Sequence, residues 1–248
     1  MAAPGSPGVV LIVGCGGIGG AAAARLARDG YALAVADAVP HKVEDAARTL
    51  GAGGTAVLSL TADARDEGQV QGVVDATLAR FGRLDALVTT VGAAEKVAVA
   101  DMTLVEWNDL LTLNLTSQFL TARAVLPVMR RQRSGSIVAV TSNLAWGEPG
   151  RAHYAAAKAG IIGFVRSLAL EVAADGIRVN ALAPGLTLTQ RIIDNTPQSD
   201  IDARLPSIPL GRLGAAEDQA EGIAFLVSPA SRYVTGQVLH VNGGSLMP

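Results

Sequence analysis

Val9-Val-Leu-Ile-Val13 runs directly into Gly14-Cys15-Gly16-Gly17-Ile18-Gly19-Gly20, and this junction constrains the fold more than any other stretch. Five aliphatic residues without a polar break are the pattern of a strand buried on both faces. The glycines let the backbone turn closely, and Ala21 to Asp29 then reads as a helix ending at Gly30. Strand, glycine loop and helix in that order form the context in which Gly14, Gly16 and Gly19, spaced Gly-x-Gly-x-x-Gly, bind a dinucleotide. Free N–H groups and the positive dipole end of the helix suit a pyrophosphate. A second strand, Leu33 to Ala36, ends in Asp37, 23 residues after Gly14. An acid at that distance accepts hydrogen bonds from the adenosine ribose hydroxyls. It also repels a 2′-phosphate, and no Arg or Lys follows before Lys42, so the expected cofactor is NAD rather than NADP.

The alternation continues along the chain. Ala56 to Leu60, Ala86 to Thr90, Ser136 to Thr141, Arg178 to Ala183 and Val238 to Val241 are short β-type runs. Glu67 to Phe81, Leu104 to Met129, Tyr154 to Ala174 and Ala216 to Leu226 read as helices. The expected fold is α/β, a Rossmann-type doubly wound parallel sheet of about seven strands with helices on both faces. Residues 9–248 read as one dinucleotide-binding and catalytic domain after a disordered tail, 1–8. The least regular stretch, Thr187 to Gly211, holds Pro197, Pro206 and Pro209 and follows a strand's C-terminal end, so it reads as a substrate lid.

Tyr154-Ala-Ala-Ala-Lys158 places a phenol and an ammonium on one helical face, one turn apart. Such an ammonium favours the phenolate, which fits the Tyr to exchange a proton with an alcohol or carbonyl oxygen. Three Tyr and three Lys would meet at this spacing by chance about 0.04 times in such a chain.

With these motifs in order, the chain resembles the short-chain dehydrogenase/reductase family over nearly its whole length. The resemblance implies a catalytic set of Asn114, Ser142, Tyr154 and Lys158. Ser142 would fix the substrate oxygen, Lys158 would also hold the nicotinamide ribose, and Asn114 would serve a water relay. Thr141 is a rival for the hydroxyl role. The implied cofactor residues are Gly14, Gly16, Gly17, Ile18, Gly19, Asp37, Asp63, Gly92, Tyr154, Lys158, Pro184, Gly185, Thr187 and Thr189. The implied substrate wall is Asn143, Leu144, Trp146 and Glu148, with Arg191 from the lid. Arg151 and Arg204 are further candidates to meet an acidic group, against the plainer reading of surface Arg. The resemblance also points to a homotetramer built from paired helices.

The departures are specific. The first loop is one residue shorter than the family's usual Thr-Gly-x-x-x-Gly-x-Gly, which implies a tighter turn. Thr89-Thr-Val-Gly92 replaces Asn-Asn-Ala-Gly, so a link between strands is expected to weaken. Asn242 stands where an Asp before the last glycines is common. Cys15, the single cysteine, reads as a small residue in a tight turn; the rival reading is a thiol made acidic by the helix N-terminus.

A net charge of −2 gives no reason to expect a nucleic-acid partner. Arg130-Arg-Gln-Arg133 reads as a helix-end cluster. His41, His153 and His240 are scattered, so no metal is expected; His153 reads as structural or as part of the cleft rim. No apolar run is long enough to span a membrane, and one cysteine fits a cytoplasmic protein. The favoured activity is NAD-dependent hydride transfer on a small alcohol, polyol or hydroxy acid. The alternatives are a 3-oxoacyl-acyl-carrier-protein reductase and a non-catalytic nucleotide-binding scaffold. Asp37 opposes the first, as does Asp175, which stands where carrier-protein reductases often have a basic residue. The presence of both Tyr154 and Lys158 opposes the second.

Overall fold

A computed structural model describes residues 8–248, without the side chains of Arg191 and Asn195. The tail expected at 1–8 therefore lies, apart from Gly8, outside the described residues. Seven strands form one parallel sheet: β1 (Val9–Val13), β2 (Ala32–Asp37), β3 (Val57–Thr61), β4 (Ala86–Thr89), β5 (Gly135–Val140), β6 (Ile177–Pro184) and, last in the chain, β9 (Val238–Val241). Their order is β3-β2-β1-β4-β5-β6-β9. Two-residue strands β7 (Thr187–Leu188) and β8 (Gly214–Ala215) pair separately.

Side-chain alternation gives each strand two buried faces. Val9, Leu11 and Val13 join Val73, Val125, Ile161 and Val165 in one core layer. Val10 and Ile12 join Leu26, Leu50, Ile223 and Leu226 in the other. The first layer lies under α3 (Glu67–Phe81), α5 (Ser117–Gln132) and α6 (Ala152–Val172). The second lies under α1 (Gly17–Arg28), α2 (Pro40–Ala52) and α9 (Ala216–Val227). Each fully buried Leu or Ile contributes about 1.5–3 kcal/mol.

Three elements differ from expectation. The helix α2 is absent from the sequence reading, because only Val43 and Leu50 of it are buried and the apolar stripe is too sparse to read. The long helix expected over 104–129 is divided into α4 (Leu104–Leu111), a π-helical turn (Thr112–Thr116) and α5. Around that turn the hydroxyls of Thr112, Ser117 and Thr121 donate to the carbonyls of Asn108, Leu113 and Ser117, each four residues back. Such side-chain bonds compete with the helical ladder and loosen it. Finally, the 187–211 stretch contains two short helices, α7 (Gln190–Asn195) and α8 (Gln198–Asp202).

Strand order reverses between β1 and β4, which opens a crevice at the strands' C-terminal ends. Among the described residues no helix is long and apolar enough to cross a membrane. Among them, too, no group of three or more His, Cys, Asp or Glu could hold a metal ion.

Candidate active site

The first loop is shorter than its glycine content suggests, because α1 already begins at Gly17 rather than Ala21. Gly14 takes φ +97°, where a side chain is strained, and a Cβ there would lie 2.6 Å from Thr90 Oγ1. A Cβ on Gly19 would strike the Gly14 carbonyl. Gly16 is different. Its φ of −68° is open to any residue and a Cβ would meet nothing within 4 Å, so its lack of a side chain clears space over the α1 N-terminus. No side chain caps that terminus and no acid lies in its first turn. This is a cradle with free donors that fits a pyrophosphate. Ile18, in the first turn of α1, packs against the core layer on that side. Thr189 roofs the cradle: a Cβ on Gly17 would lie 2.7 Å from its Cγ2.

Asp37 ends β2 beside this cradle. Its carboxylate accepts from the N–H groups of Cys15 (2.8 Å) and Val39 (3.0 Å), which leaves lone pairs for other donors. Asp63 lies past the end of β3, where Arg65 grips its carboxylate and holds it below the usual range. Burial first, then Asp37, push the Cys15 thiol up to about 12, and Sγ lies 3.6 Å from the Ala36 carbonyl. Burial and the Asp37 charge thus oppose an acidic thiol and favour the packing reading. At Thr89-Thr90 a link between the loops is retained. Thr90 Oγ1 donates to the Gly14 carbonyl at 2.8 Å and ties the two loops of the crevice together.

The catalytic candidates converge across β5, α6 and the π-helical turn. Ser142 is buried and accepts from Leu144 N–H, capping a short 3₁₀ turn, Asn143–Trp146. Thr141, its rival, donates instead to the Lys158 carbonyl at 2.7 Å and so ties β5 to α6. Lys158 is fully buried; its Nζ donates to the Val140 carbonyl at 2.8 Å and lies 5.6 Å from the Tyr154 ring centre. Burial pushes this ammonium down to about 7. A Cβ on Gly92 would lie 3.3 Å from Nζ and 2.5 Å from Asn114 Oδ1, so only glycine lets the two approach the loop after β4. Asn114 sits within the π-helical turn, its Nδ2 donating to the carbonyls of Ala93 and Leu110. Its Oδ1 is a buried acceptor without a hydrogen-bond partner among the described residues, facing the same loop as the lysine. A buried acceptor of this kind calls for a donor, which suits a proton path.

The expected substrate wall divides. Asn143 is turned to the C-terminal segment, donating to Ser245 Oγ and accepting from Asn242. Leu144 is half-buried, and Trp146, half-exposed, packs on His240 with the rings tilted at 59° and their centres 5.2 Å apart. Glu148 pairs with Arg151 at 2.6 Å and with Arg204 at 2.5 Å. Sequence reading named Glu148 and both Arg residues but not their pairing, since ion pairs between distant segments leave no periodic signal. The Arg191 side chain lies outside the described residues. Pro184 ends β6. The N–H of Gly185 then donates to the Val241 carbonyl at the end of β9, and Asn242 leaves no room there for a Cβ. Thr187 is buried, its hydroxyl donating to the Gly185 carbonyl and accepting from Gln219. His153 is fully buried, and neither ring nitrogen is hydrogen-bonded among the described residues.

The same arrangement of loops and strands recurs in known proteins. A family model described as enoyl-(acyl carrier protein) reductase matches residues 14–245. The chain is 38% identical over 244 residues to a 3-oxoacyl-[acyl-carrier-protein] reductase of Synechocystis sp., covering 96% of this chain and 97% of that one. It is 37% identical over 243 residues to the 3-oxoacyl-[acyl-carrier-protein] reductase FabG of Escherichia coli, with coverage of 96% and 97%. The crystal structure of levodione reductase superposes with a TM-score of 0.91 at 33% identity, covering 96% of each chain. On this similarity of sequence and fold, the chain belongs to the short-chain dehydrogenase/reductase family of nicotinamide-dependent oxidoreductases.

Proposed function

We propose that this protein is an NAD-preferring dehydrogenase acting on a small secondary alcohol, polyol or hydroxy acid and its ketone. The observation that carries this reading is the buried Lys158 beside Tyr154, one turn apart and behind the mouth of the crevice. When bound, the nicotinamide cofactor accepts or gives the hydride. Tyr154 takes the alcohol proton or returns it, Ser142 holds the same oxygen, and Asn114 passes the proton onward. Lys158 orients the cofactor's ribose and stabilises the Tyr154 phenolate whenever it is charged. Gly14, Gly16, Gly17, Ile18 and Gly19 would hold the pyrophosphate with Thr189, and Asp37 the adenosine ribose. Pro184, Gly185 and Thr187 would border the nicotinamide, and Asp63 the adenine. The 187–211 segment would act as the lid of a single domain, 9–248.

Preference for NAD follows from Asp37 and from a first loop, Gly14 to Gly20, without a cation. The names of the relatives support a second reading, reduction of a 3-oxoacyl carrier-protein thioester. Against it, Asp175 takes up both Arg130 and Arg133, and Glu171 pairs with Arg130 as well. Two of the three arginines at the end of α5 are thus engaged within the chain, which makes the cluster less suited to an acidic carrier. We also propose a cytoplasmic homotetramer built on α5 and α6, where Phe119 and Leu170 are exposed at 41% and 86%.

The deciding measurement is NADH formation against a panel of secondary alcohols, polyols and hydroxy acids, run beside acetoacetyl thioester reduction with NADPH. Turnover in the first arm supports the proposal. Activity in the second arm alone favours the carrier-protein reading, and silence in both favours a nucleotide-binding scaffold.

A further inference from the structure

At the cleft mouth two guanidinium groups share one carboxylate. Glu148 lies between Ser142 and Tyr154 in sequence, is 17% exposed, and places one oxygen against each Arg. Arg151 precedes α6 and stands three residues before Tyr154, which is about 4.5 Å along a helix axis. Arg204 comes from the far side, in the turn after α8. Among acids near it in sequence, Asp194 and Asp202 accept from Gln190 and Gln198 within their own helices, and Asp200 lies in the first turn of α8. Among Glu148, Arg151 and Arg204 themselves, two cations share one anion. The stem of Lys96, another cation, packs on Gly150 beside it, with Glu95 exposed next in sequence.

The geometry of these pairs leaves N–H donors for a second anion. Arg204 meets Glu148 through one terminal nitrogen, and Arg151 meets it through Nε. Each guanidinium has five N–H donors in a planar fork, so most of each fork stays available to a carboxylate. The contact with Arg151 is short yet misdirected: neither Arg151 Nε nor Glu148 Oε2, both buried, has an aligned hydrogen-bond partner among the described residues. Glu148 holds the two cations together without satisfying them.

We propose that Arg204 and Arg151 form the recognition site for the carboxylate of a short hydroxy or oxo acid, with Glu148 as the internal carboxylate that this group displaces or joins. The proposal rests on the dehydrogenase reading above and narrows it to acidic substrates. A ligand carboxylate there would link the 187–211 segment to the start of α6, with the reacting carbon one helical turn on, at Tyr154. Glu148 then acts as a competitor, so its removal should favour acids, whereas loss of Arg204 should disfavour them. A purely structural ion pair would move both variants in the same direction.

The test compares acetoacetate with its uncharged methyl ester and with acetoacetyl-coenzyme A, whose phosphates offer the other source of negative charge. The kcat/KM ratio of acid to ester should fall at least tenfold in Arg204→Gln and rise in Glu148→Gln, while Arg204→Lys recovers part of the loss. An unchanged ratio in Arg204→Gln, a ratio that falls in both variants, or an Arg204 effect confined to the coenzyme A thioester would overturn the assignment. If wild-type protein reduces none of the three with NADH or NADPH, the dehydrogenase reading loses support and the site is judged separately by calorimetry with acetoacetate. Heat of binding in wild type that is lost in Arg204→Gln sustains the site, and no binding, or equal binding in both, removes it.

Discussion

The catalytic corner and the cleft rim are a few residues apart in sequence, yet charge is handled in opposite ways in the two places. Lys158 is a fully buried cation whose described hydrogen bond goes to a backbone carbonyl. Glu148 is an anion shared by two cations at a partly wet surface. At the corner desolvation dominates and pulls the lysine down to about 7, so a modest change in what faces it moves its charge. At the rim, Arg204 is 46% exposed, so its ion pair is worth about 0–1 kcal/mol and exchanges partners at little cost. The corner suits proton transfer and the rim suits selection among ligands.

The largest expected effect breaks the corner alone. Tyr154→Phe should lower kcat about a thousandfold while NADH binding, followed by fluorescence, persists, because the phenolic proton carrier is gone. Near-normal turnover would remove Tyr154 from the chemistry.

Cofactor choice is the next largest effect. Asp37 should make kcat/KM for NAD about ten- to a hundredfold higher than for NADP, since like charges brought together cost several kcal/mol. Asp37→Ser with Ala38→Arg should shift the preference toward NADP. Equal constants in wild type would refute the role of Asp37.

A third measurement sharpens the contrast in burial. An exposed lysine titrates near about 10.4, well above the value of about 7 for Lys158 in the fold. Between those values the unfolded chain holds a proton that the folded chain has released, so this group's contribution to stability rises with pH across that window. Below pH of about 7 the full cost of burying the charge is present. Urea midpoints of Lys158→Met should therefore rise less from about pH 7 to about pH 10 than those of wild type. Parallel profiles would show that the ammonium is not desolvated.

The smallest effect concerns Cys15. With its thiol pushed up to about 12, labelling by iodoacetamide near neutral pH should be slow and little changed by NAD. Fast labelling that NAD suppresses would restore the acidic-thiol reading.

Sequence alone determined the sheet and the place of the crevice. Buried parallel strands are continuous apolar runs, and glycine loops and Tyr-x-x-x-Lys are local patterns, so Val9–Val13, Gly14–Gly19 and Tyr154–Lys158 were all legible. The mostly exposed α2 was not, because a helix with two fully buried anchors leaves almost no periodicity. The break at Thr112–Thr116 was hidden as well, since three hydroxyls bonding back along a helix look like any polar positions until their geometry is known. Only the tertiary structure decided that Thr141 ties β5 to α6 while Ser142 caps the turn after it. It also decided that Thr90 ties the two loops of the crevice together, that Lys158 is buried against a backbone carbonyl, and that Arg204 meets Glu148 across 56 residues. Pattern reports which face of an element is buried. Which polar groups meet, and at what cost in lost water, depends on segments brought together from far along the chain.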